Sequence, residues 1–392
     1  MLDYLSLTEN QSTTIQMVDE IVYFIFLFIV LYFFIFCILS LAKSKSKYPT
    51  SPKKHKIAIL IPAYNEDQKI IQTVQSFQEQ SYDSTKFQLF IIDENLQQET
   101  LKELAAKNLT IIEHINYTAK NKINALRSFF EKIETAEDNY DIAILMSPGN
   151  CVDTNFLDKI NDAFYAGCLV IQTHQIAQKR NTSIAVLSAV SEEINNSIFR
   201  KAHRRLGLSS ALIGSGMAFE FDLLKELTYT THTNSIIKDF ERIILKKNIY
   251  IEYLNVVYTY EEKTNNNLVF YKERKQWVVA QLYGLLRGAF SLPKAFIQGN
   301  WDYCNKIIQW LVPPKTLLVT LLIFFCLLAS FIDLPMAIKW WALLFSFVGL
   351  LVLSIPRYLL NMQLVKTLFK IPFVLLLTFF YFFIPVQKKG NR

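Results

Sequence analysis

A run of 22 residues without a charged side chain, residues 21–42, restricts the structure of this 392-residue chain more than any other feature. About 20 consecutive apolar residues form a helix long enough to cross the hydrocarbon core of a bilayer. The run therefore predicts a transmembrane helix. Residues 1–20 in front of it are acidic rather than basic, which is not typical of a cleavable signal peptide. We expect an extracytoplasmic N-terminus followed by a permanent membrane anchor.

Further apolar runs lie in the C-terminal part of the chain. Residues 316–332 and 340–355 predict two more transmembrane helices, and residues 286–315 in front of them are expected to lie at the membrane interface. Residues 371–386 form a shorter apolar run with a proline near each end, so a third crossing and an interfacial helix both stay open. The 52% hydrophobic composition fits a chain that is partly embedded in a membrane.

Lysine and arginine positions predict how these helices are oriented. Six lysines lie in the linker at residues 43–56, directly after the first apolar run. Because positively charged loops stay on the cytoplasmic side, the linker and the large domain after it are predicted to be cytoplasmic. Arg357, Lys366 and Lys370 fall on the same side if the chain crosses twice more after the domain. The expected location is a bacterial-type inner membrane, with the large domain in the cytoplasm.

Charge and cysteine content exclude several other classes of protein. The net charge of +7 is mild, and no basic stripe alternates with aromatic residues, so we expect no nucleic-acid partner. The five cysteines form no CxxC pair, and the five histidines do not have metal-ligand spacing. This pattern predicts neither a zinc site nor a disulfide framework, as is usual in a reducing cytoplasm.

The segment between the membrane runs, residues 57–285, alternates strand and helix patterns. Four apolar runs of strand length are each followed by a polar turn and a stretch with helical spacing. They cover residues 56–62, 87–92, 109–114 and 142–146. Strands buried on both faces and separated by helices predict an α/β domain with a doubly wound parallel sheet. A later strand at residues 170–173 and a long helix at residues 183–205 are also predicted.

Two polar turns mark where a ligand should bind. Ser147-Pro148-Gly149-Asn150 follows the fourth strand, and ligands of open α/β sheets bind at the carboxyl ends of the strands. Gly214-Ser215-Gly216 interrupts a later apolar segment, and its glycines allow a ligand to approach the backbone closely. A simple tight turn is the alternative interpretation of this second segment.

Together these stretches resemble the family 2 glycosyltransferases, in particular the processive, membrane-attached branch that includes cellulose synthase and poly-N-acetylglucosamine synthase. The resemblance covers about residues 56–285, and the flanking apolar runs extend it. It implies the GT-A fold of nucleotide-diphospho-sugar transferases, an α/β fold with a doubly wound sheet, here flanked by transmembrane helices. It also implies a nucleotide sugar as donor and a glycan or lipid-linked molecule as acceptor, and it leaves room for a partner subunit.

Three motifs carry the donor side of this resemblance. IAILIPAYNED is similar to the family's opening strand and turn, which would place Asn65 and Glu66 against the donor nucleotide. IIDENLQQET is similar to the second strand, whose terminal acid contacts the nucleobase or ribose, and either Asp93 or Glu94 fits that role. Lys122 begins a stretch similar to the family's Lys-x-x-Ala-Leu helix start, where a cation and free N–H groups favour an anionic donor.

The same resemblance suggests residues for the acceptor side and for catalysis. LIGSGMAFEF is similar to the acceptor-side loop, which assigns that role to Gly214-Ser215-Gly216. Asp239 falls at the position of the general base, which accepts the proton of the acceptor hydroxyl. Arg274 and Trp277 lie where the family's Gln-x-x-Arg-Trp motif falls, and they are expected on the acceptor side near the membrane surface.

The chain departs from the family at several of these positions. The Asp-x-Asp motif that holds Mg²⁺ or Mn²⁺ should fall where Ser147 and Gly149 stand, and neither residue supplies an anionic oxygen. We therefore assign no metal ligand. Lys238 precedes the predicted base where an acid is usual. Glu273 and Gln276 replace two positions of the late motif.

The sequence leaves three functions open. The first is a membrane-bound inverting glycosyltransferase that moves a sugar from a nucleotide sugar to a glycan or lipid-linked acceptor. The second is a catalytically degenerate subunit of the same fold, which binds a donor or a partner without metal-dependent turnover. The third is metal-independent transfer in which Lys122 and Arg274 neutralise the departing diphosphate. Trp277 also has two interpretations, because tryptophan serves as an anchor at membrane surfaces.

Overall fold

The computed structural model describes residues 2–42, 48–106, 110–113, 122–133, 139–233, 235–262 and 267–368. Within these ranges the chain forms a mixed α/β domain that is attached to long apolar helices at both ends of the sequence.

The described strands form one eight-stranded sheet in the order β3-β2-β1-β4-β7-β6-β8-β5. The strands are β1 (Ile57–Tyr64), β2 (Phe87–Glu94), β3 (Thr110–Glu113), β4 (Ile142–Leu145), β5 (Asn150–Val152), β6 (Val170–Ala177), β7 (Met217–Glu220) and β8 (Ile251–Glu261). The first four strands in this order are the four strands predicted from the sequence, and they lie side by side.

The predicted α/β architecture is confirmed most directly in this half of the sheet. β1 pairs in parallel with β2 on one side and with β4 on the other, and β2 pairs in parallel with β3. Ile57, Ile59 and Ile61 face one helix layer, whereas Ala58 and Leu60 face the other, and all five are fully buried. Burial on both faces explains why the strand has a continuous apolar sequence.

The second half of the sheet is mixed. β7 pairs antiparallel with both β4 and β6, β8 pairs in parallel with β6, and β5 pairs antiparallel with β8. The strand predicted at residues 170–173 continues to Ala177, with an irregular register after Thr173. The sequence predicts no strand for β8, and it predicts a helix directly after the Ser147 turn, where β5 intervenes. β5 has only three residues and pairs with a distant strand, so local periodicity does not reveal it.

Helices cover both faces of the sheet and then continue towards the membrane segments. They are α1 (Leu2–Leu41), α2 (Asp67–Gln78), α3 (Gln98–Ala105), α4 (Lys122–Ile133), α5 (Phe156–Tyr165), α6 (Ser183–Asn195), α7 (His203–Arg205), α8 (Phe221–Thr230), α9 (Ile236–Lys246), α10 (Asn267–Ala289), α11 (Leu292–Ile297), α12 (Trp301–Leu311), α13 (Lys315–Ile332), α14 (Leu334–Leu353) and α15 (Met362–Leu368). A π-helical segment, Asn196–Ala202, joins α6 to α7, so the long helix predicted at residues 183–205 is continuous.

Three helices are long and apolar enough to cross a membrane among the residues that the structure describes. Their spans are Thr14–Leu41, Lys315–Ile332 and Leu334–Leu353. The helix predicted at residues 340–355 begins six residues earlier than expected, because Asp333 caps it by accepting a hydrogen bond from the Met336 backbone N–H. The run at residues 371–386 lies outside the described residues.

Contacts near both ends of α1 and α14 show how these two apolar helices are oriented. Near the start of α14, the Trp340 indole N–H donates to Asp19 of α1 at 2.8 Å. Just after α14 ends, Ser354 donates to the Cys37 sulfur at 3.3 Å, and its carbonyl accepts from Ser197 of the domain at 3.1 Å. α1 and α14 therefore run in the same direction, and the domain lies at the end opposite to Asp19. The predicted topology, with the N-terminus and the domain on opposite sides, requires this arrangement.

His203 joins α1 to the domain. Its ring stacks on Phe36 at 4.0 Å between centroids, and its Nδ1 donates to the Ile198 carbonyl at 2.7 Å. Because a carbonyl only accepts, Nε2 must accept the hydrogen bond from the Tyr32 hydroxyl at 3.0 Å. Burial, assisted by the nearby Lys306 ammonium, lowers the pKa of His203 to about 3. The imidazole is therefore neutral at physiological pH.

Candidate functional site at the strand ends

The carboxyl ends of β1 and β2 bring two predicted donor-site segments together. Tyr64 at the end of β1 pairs with Glu94 at the end of β2, so the residues that follow lie side by side. Asn65 and Asn95 both adopt left-handed backbone conformations, with φ of 50° and 79°. The Asn95 side-chain amide donates to the side-chain amide oxygen, Oδ1, of Asn65 at 2.7 Å. These two turns are therefore held as one surface.

The buried Asp93 side chain stabilises the turn after β2. Its carboxylate is 8% exposed and accepts a hydrogen bond from the Leu96 backbone N–H at 2.7 Å. Asp67, at the start of α2, accepts in the same way from the Gln97 backbone N–H at 2.7 Å. The predicted residues Asn65, Asp93 and Glu94 thus lie together at one strand edge, although the Glu94 side chain is outside the described set.

Ser215 joins the turn after β4 to the glycine-containing segment before β7. Its hydroxyl oxygen accepts from the Ser147 backbone N–H at 3.0 Å and from the Asn150 side-chain amide at 2.7 Å. The Asn150 backbone N–H closes the turn by donating to the Ser147 carbonyl at 3.2 Å. The two polar turns predicted from the sequence therefore form one connected structure at the same edge of the sheet.

Residue 216 has to be a glycine, because of its backbone conformation and of the side chains next to it. Its φ is +62°, and a Cβ there would lie 2.4 Å from Thr173 Oγ1 and 2.5 Å from Thr259 Oγ1. These two hydroxyls are 2.7 Å apart, and Thr173 also donates to the Gly216 carbonyl at 2.8 Å. Gly214 has a φ of +110°, and a Cβ there would meet the Ile237 side chain at 3.6 Å. Sequence analysis finds the glycines but not the two threonines behind them.

Lys122 lies beside the first position of the turn after β4. Its ammonium group donates to the Ser147 hydroxyl at 3.5 Å, and the side chain is exposed. Lys122 is also the first residue of α4, and the amino end of a helix carries positive potential. The structure thus brings this predicted donor-binding residue to the position at which the family carries the first acid of Asp-x-Asp.

Lys69 lies beside the third position of the same turn, and sequence analysis missed it. Gly149 has a φ of +84°, and its N–H is shared between the Lys69 carbonyl at 3.1 Å and the Thr73 hydroxyl at 2.8 Å. A Cβ at Gly149 would lie 3.2 Å from Lys69 Cδ, so the lysine side chain covers the glycine. The Lys69 ammonium donates to Glu66 at 3.4 Å. A lysine three residues after Glu66, in the first turn of α2, is the only sequence signal.

The residues present at this turn do not fit a divalent cation. Among the described residues, no group of three or more His, Cys, Asp or Glu side chains is placed to hold a metal ion. Ser147 and Gly149 supply no carboxylate, and the nearby Asp153 accepts a hydrogen bond from Tyr260 of β8. Mg²⁺ and Mn²⁺ prefer carboxylate and water oxygens, and two lysine side chains occupy the positions where such ligands would stand.

Asp239 lies in the first turn of α9 in a cluster of charged groups. Its carboxylate is 4% exposed and accepts from the Thr233 hydroxyl, while Arg242 approaches the other oxygen at 3.2 Å. Arg287 of α10 lies 3.9 Å from Oδ2. The neighbouring Ile237, rather than Asp239, packs towards Gly214, and residues two apart on a helix point about 200° apart.

Lys238 and Glu241 occupy another face of α9. Glu241 is fully buried, accepts from Lys238 at 2.7 Å and from the Leu212 backbone N–H at 2.9 Å, and lies 3.5 Å from the Lys306 ammonium. Burial alone would raise the pKa of Glu241, but the two ammonium groups reverse this effect and hold the pKa below its usual value. Glu241 therefore connects α9 to the loop in front of Gly214, and Lys238 pairs with Glu241 on the same helix.

Arg274 and Trp277 lie on α10. Burial lowers the pKa of Arg274, and the charges of Glu192 and Glu273 act in the opposite direction, so the guanidinium lies among acids of α6 and α10. The Trp277 ring is 43% exposed. Arg274 thus lies near the part of α6 that Lys315, at the start of α13, contacts through Asn195. Arg274 is therefore placed at the junction between the domain and the apolar helices, and Trp277 follows three residues later on α10.

The fold and the site define a class of protein. A sheet of this order, with polar turns gathered at the carboxyl ends of parallel strands, is the GT-A type of α/β fold. Residues 53–280 match the family described as Glycosyltransferase like family 2, and the chain belongs to this family.

The chain is also similar to solved structures. The mannosyltransferase PcManGT from Pyrobaculum calidifontis, in complex with GDP-Man and Mn²⁺, is similar to this chain with a TM-score of 0.56 and 15% identity, over 92% of this chain and 99% of that one. S. aureus TarS 1–349 in complex with UDP-GlcNAc matches with a TM-score of 0.38 and 14% identity, over 75% and 92% of the two chains. No curated protein matches the sequence.

Proposed function

We propose that this protein is a membrane-bound inverting glycosyltransferase, which moves a sugar from a nucleotide sugar to a glycan or lipid-linked acceptor. One observation carries the proposal: the turns after β1, β2 and β4 lie at one edge of the sheet, where Lys69 and Lys122 supply positive charge. A nucleoside diphosphate needs such a cationic surface, and the carboxyl edge of an open α/β sheet is where ligands bind.

The proposed reaction is a single displacement at the anomeric carbon of the donor sugar. The acceptor oxygen forms a bond to C1, and the bond from C1 to the diphosphate oxygen breaks. The diphosphate leaves with both electrons of that bond, and the acceptor proton passes to a base. A well-placed base contributes roughly 10²–10⁴-fold to such a rate.

Asp239 stays our proposal for the base. Its carboxylate has a partner on each oxygen, and the Arg287 contact at 3.9 Å is the longer one. Exchange of Arg287 for the acceptor hydroxyl would bring that hydroxyl to Oδ2, which also accepts a hydrogen bond from Thr233. On the donor side we propose Asn65, Glu66, Asp93, Glu94 and Lys122.

The acceptor is proposed to be a glycan or a lipid-linked molecule at the membrane surface. Gly214-Ser215-Gly216 borders the donor turn through Ser215, and Arg274 lies near α6 and the start of α13, with the exposed Trp277 three residues further along α10. The likeness to a mannosyltransferase in complex with GDP-Man supports a nucleotide sugar as donor. The cellulose synthase-like branch, a bacterial-type inner membrane, a cytoplasmic domain and a partner subunit are parts of the same proposal.

A transfer assay with the detergent-purified full-length protein tests this function. UDP-sugars and GDP-sugars labelled in the sugar would be incubated with a membrane lipid and glycan extract, and labelled product would be separated from free sugar. We expect Asp239→Asn to lose transfer by at least ~10²-fold while it keeps donor binding. Asp222→Asn, an exposed acid on α8, is the matched control and should keep full activity. Full activity of Asp239→Asn would refute the base assignment.

A second function is a catalytically degenerate subunit that binds a donor without turnover. The observation in its favour is that Ile237 packs towards Gly214 while Asp239 already has arginine partners. This function predicts that the protein binds a nucleoside diphosphate but transfers no sugar to any acceptor fraction. Transfer by the purified protein would exclude it.

A further inference from the structure

The turn after β4 carries two lysine side chains where the family carries two acids. Lys122 donates to the hydroxyl of Ser147, and Lys69 covers Gly149, two residues further on. We propose that the ammonium groups of Lys69 and Lys122 take the place of a divalent cation and bind the diphosphate of the donor directly. The proposal rests on the proposed function and assigns the groups that stabilise its leaving group.

The Lys69 side chain packs against the backbone at Gly149. Its φ of +84° is a conformation that residues with a side chain rarely adopt, and a Cβ would lie within 3.5 Å of three Lys69 carbons. The Gly149 N–H is held by both the Lys69 carbonyl and the Thr73 hydroxyl, so the turn and the first turns of α2 are locked together. A side chain at residue 149 would meet Lys69 closely, so the lysine would have to shift, and the residue would have to adopt the left-handed conformation. The turn therefore has a specific alternative structure rather than two missing acids.

The charge balance also suits a diphosphate. Two ammonium groups carry a formal charge of +2, the same as Mg²⁺ or Mn²⁺, and each has three N–H donors for phosphate oxygens. Lys69 has only a 3.4 Å contact to Glu66, with both side chains about a third or more exposed. A pair of this length and exposure is weak, so the lysine can exchange the carboxylate for a phosphate.

The two lysines act on one bond in the proposed reaction. When the acceptor oxygen bonds to C1 and its proton passes to the base, the electron pair of the C1–O bond moves to the diphosphate. The new negative charge appears on the phosphate oxygen that was bonded to C1 and is shared with the other oxygens of that phosphate. The ammonium groups stabilise that oxygen without giving up a proton, so charge and atoms balance with no metal in the step.

Binding of nucleoside diphosphates tests the proposal. UDP and GDP would each be titrated calorimetrically into the full-length protein in detergent, once with EDTA and once with Mn²⁺. We expect the Kd to agree within about twofold between the two conditions. Lys69→Met and Lys122→Met should each raise the Kd roughly tenfold, as expected for loss of a hydrogen bond from a charged group, and the double variant should raise it further.

Lys86→Met is the matched control, because Lys86 is an exposed lysine at the opposite, amino end of β2. It should leave the Kd unchanged, and thermal unfolding should be equal for all variants. Binding that requires Mn²⁺ and disappears in EDTA would overturn the lysine proposal while the proposed function stands. An unchanged Kd in the folded double variant would also overturn it. If the folded wild-type protein binds neither UDP nor GDP in any condition, the donor function itself fails, and the lysine proposal fails with it.

Discussion

Replacing Gly216 with alanine should destabilise the domain strongly, and the contacts allow an estimate of how much. The backbone there has a φ of +62°, which costs a residue with a Cβ about 1–2 kcal/mol. The new methyl group would lie 2.4 Å from Thr173 Oγ1 and 2.5 Å from Thr259 Oγ1, so both hydroxyls must move. The hydrogen bonds that they form, at 2.7 and 2.8 Å, contribute about 1 kcal/mol each. The total is about 3–4 kcal/mol.

Urea denaturation in detergent, followed by tryptophan fluorescence, measures this change in the free energy of unfolding. Gly207→Ala is the matched control, because Gly207 has a similar φ of +70° but a methyl group added there would meet nothing within 4 Å. The free energy of unfolding of the control should fall only by the cost of the left-handed backbone, about 1–2 kcal/mol. The difference of about 2 kcal/mol between the two variants isolates the contribution of the threonines.

Equal destabilisation by the two substitutions would refute the reasoning, because it would mean that the threonines move aside without cost. A second comparison makes the same point from the other direction. Thr259→Ala removes one of the colliding hydroxyls, so Gly216→Ala should be less damaging in that background than in the wild type. The two changes should therefore be non-additive, as expected for residues in contact. Strict additivity would contradict the proposed collision.

Two further predictions concern pH and the donor turn. Burial holds the pKa of His203 near 3 against its ordinary 6.5, so below pH 6.5 the unfolded chain binds a proton that the folded chain does not. The neutral His203 therefore contributes fully to the free energy of unfolding at pH 7. This contribution falls with pH, by about 2 kcal/mol between pH 7 and pH 5. His203→Gln should remove this loss in urea titrations, whereas His232→Gln, an exposed control, should retain it. Ser215→Ala should lower the free energy of unfolding by about 1–3 kcal/mol, because the N–H of Ser147 and the amide of Asn150 lose their acceptor. It should also weaken binding of UDP or GDP, and unchanged binding would show that Ser215 does not support the donor site.

The parallel half of the sheet could be predicted because each strand carries its own evidence. β1, β2 and β4 are short apolar runs with polar residues at their ends, and burial on both faces requires that pattern. β8 was missed although Ile251–Glu261 is rich in Val, Ile, Thr and Tyr, which is a local signal for a strand. β5 could not be predicted in this way, because it has only three residues and pairs with β8, which lies about 100 residues further along the chain.

Some residues of the candidate site could likewise be predicted from the sequence, and others could not. The resemblance to the family suggested Asn65, Asp93 and Lys122, and Asn65 and Asp93 lie close together because β1 and β2 pair in parallel and their carboxyl ends meet at one edge. Lys69 could not be predicted, since its contact with Gly149 depends on a left-handed backbone and on how α2 packs against β5. The direction of Asp239 depends on the rotation of α9, which the packing of Ile237 against Gly214 helps to set.

The turn at Ser147 to Asn150 also bears on how the missing acids should be interpreted. If the acids had been lost without replacement, the turn would keep space for them, and restoring aspartate would restore a metal site. Instead the N–H groups of Ser147, Gly149 and Asn150 are all hydrogen-bonded, and Lys69 fills the space above Gly149. A carboxylate at residue 149 would therefore require the Lys69 side chain to shift and the new residue to adopt a φ of +84°, or the backbone to change. The lysines and the turn are consequently one structural unit, and the chemistry of the donor site has to be tested with both lysines in place.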